Sequence, residues 1–311
     1  MDVKRLPELE TVEKLHLSID CKQKAVRAVR FNSDGEYCLT CGSDRTIKLW
    51  NPHKNIALKT YVGHGNEVLD AQSTCDNAQI CSGGLDKSVI LWDVATGKML
   101  RKFRGHAAKV DCVSFNEDGA VIMSGSLDGS VQIWDTKSRK LEPIQTLDES
   151  KDGISSILGT DHEIFTASTD KHLRRYDLRC GQMTSDFLGA PVMCVSLTMD
   201  GQCILTNTSD STLRLLDKKS GELLNEYKGH TSVGYKIDSA VSSDDKQVLT
   251  GSEDGLIYIW DLIKTDVIGR LDHGKGKTLV HSLSYHPTKP ILLTACGSDI
   301  FLWKTRHAAI S

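Results

Sequence analysis

Apolar residues recur along this chain at a long and even interval. Cys38, Ile80, Ile122, Ile164, Ile204, Val248 and Leu292 are each followed two residues later by a hydroxyl, at Thr40, Ser82, Ser124, Thr166, Thr206, Thr250 and Thr294. Positions two apart share one face of a β-strand, so each copy reads as a strand with an apolar residue and a hydroxyl on the same side. Four residues past the hydroxyl comes an aspartate in six copies, Asp44, Asp86, Asp128, Asp170, Asp210 and Asp254, with a small residue before most of them. That pattern predicts a tight hairpin into a second strand. The second strand ends at Trp50, Trp92, Trp134, Tyr176, Leu216, Trp260 and Trp303, at spacings of 42, 42, 42, 40, 44 and 43 residues. Seven copies with a period just above forty predict seven small antiparallel sheets that bury their cores only by stacking on one another.

The copies carry further polar residues in step. Gly63-His64, Gly105-His106 and Gly229-His230 lie upstream of the hydroxyl in three of them. A buried carboxylate, imidazole, hydroxyl and indole at fixed spacing must satisfy one another, because an unpaired buried polar group costs about 1 to 3 kcal/mol. The Gly-His, the period and the closing Trp-Asp together resemble WD repeats, a likeness that implies an all-β, seven-bladed propeller. It also implies the wiring: Asp to His, His to Ser or Thr, hydroxyl to the Trp ring nitrogen. Complete sets stand in blade two (His64, Ser82, Asp86, Trp92), blade three (His106, Ser124, Asp128, Trp134) and blade six (His230, Thr250, Asp254, Trp260). Blade one has Cys21-Lys22 in place of Gly-His, blades four and five lack the Trp, and Asp299 in blade seven is expected to miss the network.

Lys14–Ile19 precedes blade one at the distance where Ile56–Tyr61 precedes blade two, so it predicts the outer strand of the blade before, which is the seventh. The ring then closes without an open sheet edge. Residues 1–13 read as a loose start, 14–303 as one propeller and 304–311 as a tail.

Length alone would allow two or three domains in 311 residues, but the unbroken repeat leaves one. A net charge of -3 makes direct nucleic-acid binding by bulk electrostatics an unfavoured expectation. The start lacks the apolar core of a signal peptide, and no apolar run approaches the ~18 residues of a membrane span. We expect an intracellular protein without membrane association, whose ten scattered cysteines are reduced core residues.

Little in the sequence points to catalysis. Cys38-Leu-Thr-Cys41 has no second pair and lies on a strand, where residues three apart face opposite ways. Gly274-Lys-Gly-Lys-Thr278 matches the end of a phosphate loop, but the first glycine of that motif would fall on Leu271 and no strand-to-helix frame surrounds it. The His-Asp-Ser sets recur in three blades, whereas an enzyme needs one exposed nucleophile. Neither an enzyme nor a metal or other cofactor is expected. Candidate partner-binding residues are those after the hairpin aspartate (Arg45, Lys87, Lys171) and those leading into the first strands (Glu67, Lys109, Tyr235), which should share one rim of the disk.

Several stretches are more particular: Ala25-Val-Arg-Ala-Val-Arg-Phe31, Arg101-Lys-Phe-Arg-Gly-His106, Arg175-Tyr-Asp-Leu-Arg179 and Asp210-Ser-Thr-Leu-Arg-Leu-Leu-Asp217. Over residues 20–303 the chain resembles the mitogen-activated protein kinase organizer family of WD-repeat proteins. The resemblance implies a non-enzymatic scaffold for components of the extracellular-signal-regulated kinase cascade, associated also with the spliceosome and pre-mRNA splicing. It implies partners that are kinase-cascade and spliceosomal proteins, a monomeric propeller within larger complexes, and residence in cytoplasm and nucleus. The alternative is a substrate receptor of a cullin-type ubiquitin ligase, for which Tyr176-Asp-Leu-Arg179 approximates the docking ending of some WD-repeat proteins.

Overall fold

The computed structural model describes residues 12–276 and 278–305. Residues 1–11, most of the expected loose start, lie outside the described residues, as do 306–311 of the tail and Lys277 of the Gly274–Thr278 run.

The chain forms seven four-stranded antiparallel sheets arranged as the blades of one ring. Blade one runs outward through Val26–Phe31, Cys38–Gly42, Thr46–Asn51 and Ile56–Val62. Five blades repeat this order. The seventh is built from Val280–Tyr285, Ile291–Cys296, Asp299–Thr305 and, as its outer strand, Val12–Asp20 from the other end of the chain. That strand begins two residues ahead of the expected Lys14 and pairs Leu15 with Trp303 and Asp20 with Asp299. The first strands of neighbouring blades lie side by side around the centre. Blade one therefore meets blade seven directly, where the Val29 amide donates to Ser282 Oγ at 3.0 Å.

The repeating pattern follows from how blades stack. The column just after the hydroxyl on each second strand reads Cys41, Gly83, Gly125, Ala167, Asn207, Gly251 and Ala295. It is mostly small because the next blade's inner strand lies against it: a Cβ on Gly83 would strike Val110, and one on Gly125 would strike Ile154. The core is thus a series of inter-blade clusters, each drawing on two adjacent sheets.

Deleting residues 1–19 removes the closing strand and opens the edge of Asp299–Thr305, whereas deleting 1–11 leaves it in place. The longer deletion should lower the melting temperature and promote self-association, and the shorter should do neither. Equal melting and a monomeric state for both, by calorimetry and sedimentation, would mean that this strand does not hold the ring closed.

Candidate functional site

In blade two the expected network is complete. His64 Nδ1–H donates to Asp86 at 2.9 Å, Ser82 Oγ–H donates to His64 Nε2 at 2.8 Å, and Trp92 Nε1–H donates to Ser82 Oγ at 2.9 Å. Blade three repeats it through His106, Asp128, Ser124 and Trp134. Burial works to raise Asp86, but His64, the Gly65 amide and Ser88 outweigh it and hold the carboxylate well below its usual range. The same balance, with Ser130 and the Ala107 amide as donors, holds Asp128 at about 2.

Blade six does not form the network expected of it. Asn207 reaches across from blade five, and His230 Nε2 lies 3.4 Å from its Oδ1. Thr250 donates instead to the Asp238 carbonyl, Trp260 to the Lys228 carbonyl, and Asp254 accepts from Tyr258 at 2.8 Å. The cause is local. The residues between His230 and the first strand form an inserted loop, and the side chain of Asn207 fills a column that is small elsewhere.

Two blades that lack Gly-His recruit substitutes from other positions. In blade one Gln23 takes the place of histidine, accepting from Thr40 at 2.5 Å while Trp50 donates to the same hydroxyl at 2.9 Å. In blade seven His273 bonds Thr294, which also accepts from Trp303, and Asp299 is engaged by Lys275 rather than by the histidine. Blades four and five neutralise the hairpin aspartate from four residues on, Asp170 with Arg174 and Asp210 with Arg214, each at 2.6 Å.

These turns define one rim of the disk. In six blades the residue before the aspartate donates its amide to the segment leading into the first strand, as Leu85 does to Glu67 and Leu127 to Lys109. The residue after the aspartate has a left-handed backbone in six blades, Arg45, Lys87, Gly129, Lys171, Ser211 and Gly255, and the shorter hairpin of blade seven has Gly297 in that conformation. Arg45, Lys87 and Lys171 point into solvent, and no ion pair holds their side chains among the described residues. Glu67 and Lys109 sit on the same rim but are engaged, Glu67 by Arg27 at 2.9 Å and Lys109 by Asp111 at 2.9 Å.

Tyr235, 60% exposed, stands at the mouth of the central channel. Its loop is fixed by one carboxylate: Glu253 Oε1 accepts the amides of Val233, Gly234 and Tyr235 at 2.7, 2.7 and 3.2 Å. Burial pushes Glu253 up, but those three amides prevail and keep it below its usual value. Tyr235 and Lys109 line the same cavity of about 330 Å³, whose walls include Leu69 and Leu279. Beneath it Lys236 crosses from blade six to the Asp111 carbonyl of blade three at 3.1 Å, and Arg30 joins Asp238 at 2.6 Å and Asp70 at 3.2 Å. Burial opposes both cations, yet the carboxylates prevail and raise Arg30 and Lys236 above their usual values. This charged septum separates the mouth from a lower chamber of about 270 Å³.

Sequence reasoning missed Gln23, His273 and the septum. Asp70 and Asp238 were visible as two acids in an inner-strand column otherwise filled by Ala28, Cys112, Ser156, Cys194 and Ser282, with Arg30 as their counter-charge. Arg179 folds back onto Asp177 at 3.0 Å, and Tyr176 donates to Glu149. Cys38 and Cys41 are buried as free thiols, and burial raises both well above the usual thiol range.

The WD domain, G-beta repeat family matches residues 13–51, 56–93, 97–135 and 221–261. The stretch it passes over between 136 and 220 holds blades four and five, the two without a closing Trp. WD repeat domain-containing protein 83 of Rattus norvegicus and that of Homo sapiens are each 61% identical over 300 residues, covering 96% of this chain and 94% of theirs. An uncharacterized WD repeat-containing protein of Schizosaccharomyces pombe is 45% identical over 298 residues, covering 94% of this chain and 98% of its own.

Asp86→Ala leaves His64, the Gly65 amide, Ser88 and Lys102 without their shared acceptor, and should cost about 2 to 3 kcal/mol in denaturant unfolding. Asp254→Ala removes no histidine contact and should cost less. Equal losses would show that the histidine link adds nothing. A pH effect follows from the buried imidazoles. Burial pushes His230 and His273 down to about 4 from an ordinary 6.5. Between those values the unfolded chain binds the protons, so stability is full above about pH 6.5 and declines as pH falls toward 4. Urea midpoints measured across that window should show the decline, and His230→Asn should make it shallower while the share of His273 remains; a level profile in the parent protein would contradict the assignment.

Proposed function

Because this chain belongs to the WD-repeat family, we propose that it is a non-enzymatic scaffold that assembles components of the extracellular-signal-regulated kinase cascade and associates with the spliceosome. A WD-repeat propeller is a protein-interaction platform; the two named roles, and residence in cytoplasm and nucleus, rest on likeness to the kinase organizer family. The observation that carries a binding role is the loop at Tyr235, held by three backbone N–H hydrogen bonds to the Glu253 carboxylate while its ring stays in water. An aromatic side chain fixed in advance loses little freedom when a partner covers it. On the same rim, Arg45, Lys87 and Lys171 stand exposed at turns where a side chain is conformationally costly. Positive charge of this kind steers an acidic partner segment and sets its rate of association.

Partners recovered from cytoplasmic and nuclear extracts and identified by mass spectrometry test the assignment, with kinase-cascade and spliceosomal proteins expected. Recovery of cullin adaptors instead would favour the ubiquitin-ligase reading. For the best partner, Tyr235→Ala should weaken binding about thirty-fold or more. An Arg45→Glu, Lys87→Glu double variant should mainly slow association, and Lys54→Glu on the opposite rim should change nothing. Loss of binding by Lys54→Glu alone, with unaltered melting, would place the partner on the other face.

A further inference from the structure

The opposite rim carries a packing defect at one blade junction. The last residue of each inner strand forms a column read from the strand register: Phe31, Ser73, Phe115, Gly159, Leu197, Val241 and Tyr285. Each faces a residue on the second strand of the preceding blade, and the pairs share a core cluster: Leu293 with Phe31, Phe165 with Leu197, Leu249 with Tyr285. Small is matched by large. Cys81 is answered by Phe115. Where blade four has only Gly159, Met123 fills the place so fully that a Cβ there would collide with its Cε.

The junction of blades one and two breaks this compensation. Ser73 is answered by Leu39, which does not reach across, and a cavity of about 260 Å³ remains. Its apolar walls are Tyr37, Leu39, Leu49, Leu58, Ile80 and Val94, and Asn32, Asp34 and Asn77 form its polar side. It opens beside Leu58 and Tyr37, which are 48% and 37% exposed. Ile56, on the same strand face as Leu58, is exposed as well. Apolar surface around a hole this size is unusual on a protein surface that nothing covers.

We propose that this groove is a second docking site, for a segment of a partner protein that inserts one leucine- or phenylalanine-sized side chain flanked by lysine or arginine. The size follows from the missing column residue, a serine where two other blades place phenylalanine. The charge follows from the edge: Asp34 is the charged residue in the lining and Asp76 lies in the adjoining hairpin turn, while Glu36 near Asp34 is already paired with Lys289 at 3.3 Å. Lys59, on the strand that carries Leu58, is tied to the Val94 and Ala95 carbonyls. This site takes the opposite charge from the channel rim and lies on the other face, so one chain can hold two different segments at once.

Fluorescence anisotropy of the full chain with labelled twelve-residue peptides tests it. The probes contain one leucine among lysines and glycines, the same with alanine for leucine, and the same with glutamate for lysine. The leucine–lysine peptide should saturate, and both controls should bind about ten-fold or more weakly. Ser73→Phe, which rebuilds the column, should abolish the difference between leucine and alanine peptides without lowering the melting temperature. Leu58→Glu, at an exposed position, should weaken the leucine peptide equally, and Tyr235→Ala should leave it unaffected. No saturable binding overturns the proposal, as does equal binding to Ser73→Phe or to Leu58→Glu. A concentration-dependent dimer that Ser73→Phe abolishes also overturns it, by giving the groove to a second copy of the chain.

Discussion

A buried hydroxyl in the middle of each blade is the constraint that orders the rest. Thr40, Ser82, Ser124, Thr166, Thr206, Thr250 and Thr294 have no exposed surface, and a hydroxyl without water needs protein partners. One donor comes from inside the blade, the indole on the neighbouring strand at the end of the hairpin, as in blades one, two, three and seven. In the same four blades the other partner comes from the segment leading into the blade. That requirement ties the loop to the hairpin turn, fixes the turn on one rim, and so decides where Arg45, Lys87 and Lys171 emerge.

Blades four to six show the same constraint relaxed. Where no histidine bonds it, the hairpin carboxylate takes a guanidinium or a phenol four residues on along its own strand. This solution is local to the strand; in blade four the lead-in still reaches the carboxylate through the Lys151 amide and Ser150, whereas in blade six Asp254 takes no bond from it among the described residues. Blade six uses that freedom: its lead-in bears the inserted loop, with Tyr235 outward and Lys236 inward. The most elaborated part of the binding rim thus lies where the repeat is least regular.

Periodicity made the fold legible down to the closing strand, since apolar, hydroxyl and indole columns are dictated by positions that every blade buries alike. The complete networks of blades two and three were legible for the same reason. Blade six was misread because column membership says which residues are available and not which neighbour reaches them first; Asn207 belongs to a different blade. Gln23 and His273 were hidden because a loop of altered length can present a side chain from a shifted position. The partner candidates were placed on one rim by reasoning about turns, but the neutralisation of Glu67 depends on Arg27 from the neighbouring blade, and that of Lys109 on the direction its side chain takes toward Asp111 two residues along. The hole beside Ser73 needs a comparison of residue volumes across junctions, which hydrophobic pattern alone does not make.

The closing strand also sets how the molecule responds to load. Val12 pairs with Thr305, so both ends of the described chain leave the ring at the same corner of blade seven. Tension applied between them pulls across the ladder instead of along it, and the hydrogen bonds carry the force one pair after another. Such a ring resists heat and denaturant through all its junctions but opens mechanically like a zip, from a single point.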